Sequence, residues 1–452
     1  MTTVRADRDR MRAARLLTIG VMLVTSASGS AAASASDCGL EAGTGCAPDS
    51  ARVDLATPAF SKPTAVTNPL FPISNLHSAV LLGNVDGHQL RVETTLLPGT
   101  EAVDVNGQQV DALISQYVAY LDGRIEEVAV DRYAQADDGS VWYLGEDVFN
   151  YADGVVADTE GTWLAGKDGP AAMIMPAAPQ VGDVFRPENS PGIVFEEVTV
   201  TSAGASVDGP SGPVDGALIA DELHIDGSHE DKTFAPGYGE FASGAHGNVE
   251  ALALTVPTDA RSGPPPAELV RLSTGAAEIF DAAGSGDWDA ASATLDELTA
   301  AGDSERAGGV PPLLAAQVDR ALAALRGDAL TPAVEGQNPA GARKAAIDLA
   351  MAALDLQLPY RPPTEIDVAR FDLWARQLAV DTTAGDPAAI AGDVSVLERI
   401  RDRIAHTLDE AAAKDIDAHL TILRAAADAQ NLAAVATTAP ALLDTLAAIQ
   451  AA

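Results

Sequence analysis

Two aspartate–histidine pairs near the carboxyl terminus have a spacing that can place metal ligands on one face of a helix. Asp402 lies four residues before His406, and Asp415 lies four residues before His419. Residues four apart are neighbours on a helix surface, so each pair brings a carboxylate next to an imidazole. The four residues are therefore candidate ligands of a divalent metal in a helical bundle. The alternative is two surface pairs that each stabilise a helix by about 0.2–0.5 kcal/mol.

A second group of ligand-type residues lies in the segment DELHIDGSHEDK, residues 221–232, which contains His224 and His229. Imidazole and carboxylate groups together can bind a divalent ion. The two histidines are separated by a glycine turn, and their spacing is not that of a helical or zinc-finger site. The segment favours the interpretation of a solvated acidic hairpin, with a metal site as the alternative.

Aromatic side chains are only 4% of the chain, but they cluster in residues 131–154. Trp142 and Tyr143 are adjacent in a predicted strand and therefore face opposite sides of a sheet. Tyr133 precedes them, and Tyr238 lies in a later glycine-rich segment. These four residues either fill the core of the sheet or line a groove for an amphiphilic ligand.

Three runs in the first half of the chain resemble an uncharacterised family of exported bacterial β-rich domains. They are YAQADDGSVWYLGEDV at 133–148, TEGTWLAGKDGPAAMIMPAAPQVGDVFRPENSPG at 159–192 and FAPGYGEF at 234–241. The first run carries a signature of the form Y-A-Q-x-x-x-G-x-V-W-Y-x-G-E, and the resemblance covers about residues 68–245. It implies an exported β-rich domain without an assigned activity, and it transfers no catalytic residue.

The charge and the motifs of the chain exclude several classes of function. With 28 basic and 65 acidic residues the net charge is −37, which cannot neutralise the phosphates of a nucleic acid. The sequence contains no H-E-x-x-H, C-x-x-C or G-x-S-x-G motif and no phosphate-binding glycine loop. No catalytic residue is assigned. A carboxylate-dependent hydrolase remains an alternative function, because acidic residues are abundant throughout the chain.

Residues 1–36 have the pattern of a secretory signal peptide, in which arginines precede the apolar run Leu16–Val24 and small residues follow it. We therefore expect a secreted, extracytoplasmic protein without a transmembrane segment in the mature chain, and a lipoprotein form or an uncleaved anchor is the alternative. Residues 37–66 are predicted to be a flexible linker. Cys38 and Cys46 are expected to form a disulfide there, since exported proteins meet an oxidising environment.

Two periodicities divide the rest of the chain. Residues 67–260 alternate between apolar and polar side chains, and an Asp-Gly or Asn-Gly turn recurs about every 15 residues, which predicts an antiparallel β-sheet or half-barrel meander. These turns are expected at 85–87, 105–107, 121–123, 137–139, 152–154 and 167–169. After three prolines at 264–266, residues 267–452 repeat apolar side chains with helical spacing, which predicts an all-α bundle of about seven helices.

Several helix starts can be located within the second half. Asn338 and Asp386 each precede a proline, as N-cap residues often do. Thr364 and Asp367 have the spacing of a capping box. The predicted fold class is therefore α+β multidomain, a β domain followed by a helical bundle.

Together these patterns predict an exported, non-catalytic binding protein whose partner is a protein or an amphiphilic small molecule. One alternative is an extracytoplasmic metal-handling protein with its site in the helical bundle. The other is a carboxylate-dependent hydrolase. No cofactor is expected apart from the divalent metal that the metal-handling alternative requires.

Overall fold

The computed structural model describes residues 47–190, 192–329 and 338–451. The signal peptide and the disulfide between Cys38 and Cys46 fall outside these residues, and both stay predictions.

The described residues divide into two compact units. The β unit consists of residues 47–152 and 156–252, and the helical unit consists of Asp153–Val155 and residues 253–451. An antiparallel sheet followed by a set of helices is the fold class that the sequence predicts, and this prediction is confirmed.

A sheet of 14 strands makes up most of the β unit. The strands are β1 (Ser78–Val85), β2 (His88–Val105), β3 (Gln108–Leu121), β4 (Arg124–Gln135), β5 (Val141–Ala152), β6 (Val155–Asp158), β7 (Trp163–Leu164), β8 (Ala172–Met175), β9 (Val184–Ser190), β10 (Val194–Gly209), β11 (Gly212–His224), β12 (His229–Ala235), β13 (Gly239–Ala245) and β14 (Asn248–Val256). Their order is β6-β5-β4-β3-β2-β1-β14-β13-β12-β11-β10-β9, and β7 and β8 both pair with β5. Two meanders, β1 to β6 and β9 to β14, are thus joined where β1 lies beside β14.

Four of the predicted turns are two-residue hairpin loops. Asp86–Gly87, Asn106–Gly107, Asp122–Gly123 and Asp153–Gly154 each join two consecutive strands, and both residues of every loop have positive φ. Loops of this kind match the twist of the flanking strands, and Asn, Asp and Gly are the residues that adopt their left-handed backbone most readily. The other two predicted turns lie in longer connections between strands.

The sheet is strongly curved, because strands that are far apart in the strand order share one apolar core. Trp142 on β5, Phe185 on β9 and Leu218 on β11 all belong to a single cluster of buried side chains. A second cluster, which includes Leu81 on β1 and Phe241 on β13, fills another part of the β unit. Alternation along each strand sends one set of side chains into this interior.

The helical unit contains eight α-helices among the described residues, where the sequence predicts about seven. They are α1 (Ala267–Ser285), α2 (Trp288–Ala307), α3 (Pro312–Ala324), α4 (Pro339–Gln357), α5 (Pro363–Ala384), α6 (Pro387–Ile404), α7 (Glu410–Asp428) and α8 (Leu432–Ala451).

Two of the predicted helix caps are present and one is not. The Asn338 side chain accepts a hydrogen bond from a backbone N–H in the first turn of α4, and Asp386 does the same in α6. The prediction that Thr364 and Asp367 form a capping box is wrong. Helix α5 begins after Pro362, which forms no side-chain cap, and Asp367 is buried.

Asp367 instead belongs to a buried network of charged groups in the helical unit. Arg370 Nη2 lies 2.8 Å from Asp355 Oδ1, and Arg370 Nη1 lies 3.1 Å from Asp367 Oδ1. Arg403 Nη1 approaches the same oxygen of Asp367 at 3.7 Å. All four side chains are at most 3% exposed, so each charge depends on its partners for the stabilisation that water would otherwise supply.

By length and composition, the segment Leu432–Ile449 of α8 could cross a membrane. A helix that packs inside a soluble protein passes the same test. In α8 one stripe of side chains, Val435, Ala439, Leu442 and Leu446, is buried against the helical unit. Helix α8 packs on α7 and α5.

Candidate metal centre

The hairpin formed by β11 and β12 places four ionisable side chains on one face of the sheet. Glu222 and His224 are two residues apart on β11, and Glu230 and Lys232 are two residues apart on β12, so each pair shares a face. Glu222 lies directly opposite Glu230 in the strand register. This face is buried: the four side chains are 1–15% exposed.

The two strands beyond this hairpin extend the cluster. Glu196 on β10 lies opposite His224 on β11, and on its other side it lies opposite Glu188 on β9. Both glutamates are buried. Four consecutive antiparallel strands, β9 to β12, thus bring side chains from residues 188 to 232 together.

His224 is the centre of the cluster, with carboxylates at both ring nitrogens. Its Nδ1 lies 3.5 Å from Glu196 Oε1, and its Nε2 lies 3.3 Å from Glu230 Oε2 and 4.0 Å from Glu222 Oε2. Ligand atoms of Glu196, Glu222 and His224 all lie within 4.8 Å of one another. Two atoms that each bind one ion at about 2.1 Å are roughly 3–4 Å apart, so this spacing suits a shared metal.

Several of these buried atoms lack a hydrogen bond within the described chain. Both carboxylate oxygens of Glu222, both of Glu230 and the Nε2 of His224 are inaccessible to solvent and have no hydrogen-bond partner. Three of these atoms nevertheless face a charged group, because Lys232 Nζ lies 2.9 Å from Glu222 Oε2 and His224 Nε2 lies 3.3 Å from Glu230 Oε2. The two oxygens without either kind of partner among the described residues are Glu222 Oε1 and Glu230 Oε1. Buried polar atoms are nearly always satisfied in native proteins, so this concentration in one cluster indicates a site for a further group.

Burial and mutual charge shift the pKa values of the cluster. Burial, together with the negative charge of Glu196, raises the pKa of Glu222 to about 8. Burial alone would lower the pKa of His224, but its contacts with the Glu196 and Glu230 carboxylates raise it to about 10. Burial also opposes ionisation of Glu196, yet the contact with His224 and the charge of Lys232 give Glu196 a lowered pKa.

A second group of buried acids lies beside the cluster, on β4, β5 and β9. The Tyr143 hydroxyl donates a hydrogen bond of 2.8 Å to Asp131, and Asp131 lies opposite Glu146 in the register. Burial raises the pKa of Asp131 to about 7. Burial and the charge of Asp131 raise the pKa of Glu146 to about 8. Burial, with the charges of Glu196 and Glu146, holds the pKa of Glu188 well above its usual range.

The arrangement can hold a divalent cation. The carboxylates of Glu196, Glu222 and Glu230 together with the ammonium of Lys232 leave two negative charges, which a divalent ion beside a neutral imidazole would balance. A neutral complex is far less costly to bury than separate charges. Glu230 contacts His224 and can orient its ring, the role that a carboxylate next to a ligating histidine usually has.

The four aromatic residues singled out from the sequence are all buried. Tyr133 and Tyr143 stack with their ring centroids 4.8 Å apart, and Trp142 Nε1 donates to Ser140 Oγ at 2.8 Å. Tyr238 packs edge-on against Phe241 in the other apolar cluster. None of the four side chains is more than 9% exposed, so they contribute to the core and do not form an open groove.

The aspartate–histidine pairs of the helical unit are not brought together in the way that the spacing suggests. Asp402 lies near the end of α6, but the α-helix ends at Ile404 and His406 is exposed in the following 3₁₀ turn. On α7, Asp415 is exposed and His419 Nε2 lies 3.1 Å from Thr445 Oγ1. Among the described residues, the ligand atoms that lie within 4.8 Å of one another belong to Glu196, Glu222 and His224 in the β unit.

The hairpin at 221–232 is only half solvated. His229 is 57% exposed and contacts Asp221, as expected for a solvated hairpin, but His224 is 8% exposed. The signal that sequence reasoning missed is the alternation E-x-H in β11 and E-x-K in β12, which sends Glu222, His224, Glu230 and Lys232 to the same side.

No protein-family model matches the chain, and no curated protein matches it. The resemblance to exported β-rich domains therefore stays a prediction.

Proposed function

We propose that this chain is a divalent-cation-binding protein that works outside the cytoplasm, with the ion held by Glu196, Glu222 and His224. The observation that carries the proposal is the convergence of these three buried ligand side chains, together with Glu222 Oε1, which has no partner among the described residues. The extracytoplasmic setting rests on the signal-peptide pattern of residues 1–36.

The donor set favours a transition-metal ion or zinc. Carboxylates suit Mg²⁺, Ca²⁺ and Mn²⁺, whereas an imidazole in the set suits Zn²⁺, Cu²⁺, Ni²⁺ or Fe²⁺. The site has no cysteine thiolate, which disfavours Cu⁺. We therefore expect Zn²⁺ and Mn²⁺ to bind more tightly than Mg²⁺.

Calorimetric titration of chelator-treated protein with ZnCl₂ and MnCl₂ tests this function. The wild-type chain is expected to bind one ion, and Glu222→Gln and His224→Gln are expected to weaken binding about 100-fold or more, since each removes a ligand. The matched control is His229→Gln, which changes the exposed histidine of the same hairpin and should leave the affinity unchanged.

The acidic surface can also attract cations loosely, so the titration is repeated in 0.5 M NaCl. Binding at exposed carboxylates weakens steeply with salt, whereas binding at a buried coordinated site does not. Equal affinities for the wild type, Glu222→Gln and His224→Gln, or binding that disappears at high salt, would contradict the proposal.

A further inference from the structure

The helical unit contains an apolar cavity of about 200 Å³ between α1, α4 and α5. Phe280, Leu354 and Leu373 line it, together with small residues such as Ala277 and Ala350. Ser273, Asp372 and Arg376 form its polar side. An engineered cavity of about 150 Å³ lined by Leu, Ile and Phe binds benzene. The volume here is therefore enough for a benzene ring or a short alkyl chain.

Two guanidinium groups lie against the same aromatic ring of this cavity. Arg343 Cζ is 4.1 Å from the centroid of the Phe280 ring, and Arg376 Cζ is 5.4 Å from it. Arg376 lines the cavity and is held by Asp372, with Nε 2.7 Å from Oδ2. A cation near the face of an aromatic ring is attracted to it, but two cations on one ring repel each other.

Arg343 has no hydrogen bond and no ion pair with any residue that the structure describes, and its Nε is shielded from solvent. This is unusual in a chain with 65 acidic and only 28 basic residues, where carboxylate partners are abundant. Partial burial lowers the pKa of Arg343, because the charged form is poorly solvated. Asp281 lies 3.8 Å from Arg376 Nη1, and its charge also acts on Arg343 without forming an ion pair with it. An anion in direct contact with Arg343 would add the hydrogen-bonded partner that its guanidinium lacks and offset its repulsion from Arg376.

We infer that this cavity binds a small carboxylate with an apolar body, whose tail fills the cavity and whose carboxylate pairs with Arg343 beside Phe280. The cavity volume of about 200 Å³ admits a short alkyl tail. The site lies wholly within the helical unit and does not depend on the proposed metal centre.

Octanoate is the probe for this inference, and octanol is its uncharged counterpart. Calorimetric titration of the full chain should show one saturable site for octanoate and an affinity for octanol about tenfold lower, because octanol lacks the charge that pairs with the guanidinium. Arg343→Gln should lower the octanoate affinity about tenfold and leave the octanol affinity unchanged. Lys344→Gln, which changes the neighbouring exposed cation, is the matched control and should bind as the wild type does.

Two further variants fill the cavity from different helices, Ala350→Leu on α4 and Ala277→Leu on α1. Each variant should abolish octanoate binding, while circular dichroism shows an unchanged helix content. If Ala350→Leu fails to fold, Ala277→Leu provides the same test. The inference is overturned if octanoate shows no saturable binding, if octanol binds equally well, or if Arg343→Gln behaves like Lys344→Gln. Full octanoate binding by a folded cavity-filling variant would also overturn it.

Discussion

Glu222 and His224 occupy alternate positions of β11, and Glu222 Oε2 lies 4.0 Å from His224 Nε2. A single strand therefore presents both a carboxylate and an imidazole to the same buried space. Burial and the charge of Glu196 raise the pKa of Glu222 to about 8, and the neighbouring carboxylates raise the pKa of His224 to about 10, so both groups hold a proton more tightly than they would in water. Protons and metal must compete for this site.

Zinc binding is therefore expected to release protons at pH 7, chiefly from His224 and Glu222, because a metal binds the carboxylate and the neutral imidazole. The affinity should rise as the pH increases towards 9. Titration calorimetry in two buffers that differ in ionisation enthalpy measures the number of protons. Binding without proton release at pH 7 would show that these two groups are not the ligands.

A separate prediction concerns Glu250 on β14, which is 6% exposed. Burial, with the negative charge of Glu240, raises the pKa of Glu250 to about 8, from an ordinary value of 4.5. The unfolded chain then loses this proton near pH 4.5 and the folded chain near pH 8. Between these values the folded state binds more protons, so the contribution of Glu250 makes folding less favourable as the pH rises.

Glu250→Gln should remove this penalty, because glutamine resembles the protonated acid. At pH 9 the variant is expected to have a free energy of unfolding roughly 1–3 kcal/mol above that of the wild type, since one pKa unit is worth about 1.4 kcal/mol. At pH 5 the two should be nearly equal. Urea unfolding at both pH values measures the difference. Asp111→Asn, an exposed acid on β3, is the control and should show no such pH dependence.

The architecture could be predicted from the sequence because its signals are local. The Asp86–Gly87 and Asn106–Gly107 loops need a left-handed backbone that few residues adopt, so the sequence itself indicates the hairpins. The change from alternating to helical periodicity after the three prolines likewise depends only on neighbouring residues. Such features locate strands, turns and helices without any knowledge of the tertiary fold.

The candidate metal site could not be predicted in the same way because it depends on register and on burial. Glu196 and His224 are 28 residues apart, and only the pairing of β10 with β11 brings them opposite each other. His224 and His229 look alike in the sequence, yet one faces the interior and the other faces solvent. The helical spacing of Asp402 and His406 was misleading since α6 ends between them.

The buried network around Arg370 gives a last prediction, for the stability of the helical unit. Arg370→Met leaves Asp355 and Asp367 buried with fewer partners, so it should lower the free energy of unfolding by about 3–5 kcal/mol. Adding Asp355→Leu should restore part of the loss, because it removes one of the two buried carboxylates and Asp367 still has Arg403 as a partner. Lys344→Met breaks only the half-exposed pair with Asp348 and should cost about 0–1 kcal/mol. Urea unfolding followed by far-ultraviolet circular dichroism compares the three variants. If Arg370→Met alone were as stable as Lys344→Met, Arg370 would not be compensating the charge of the buried carboxylates.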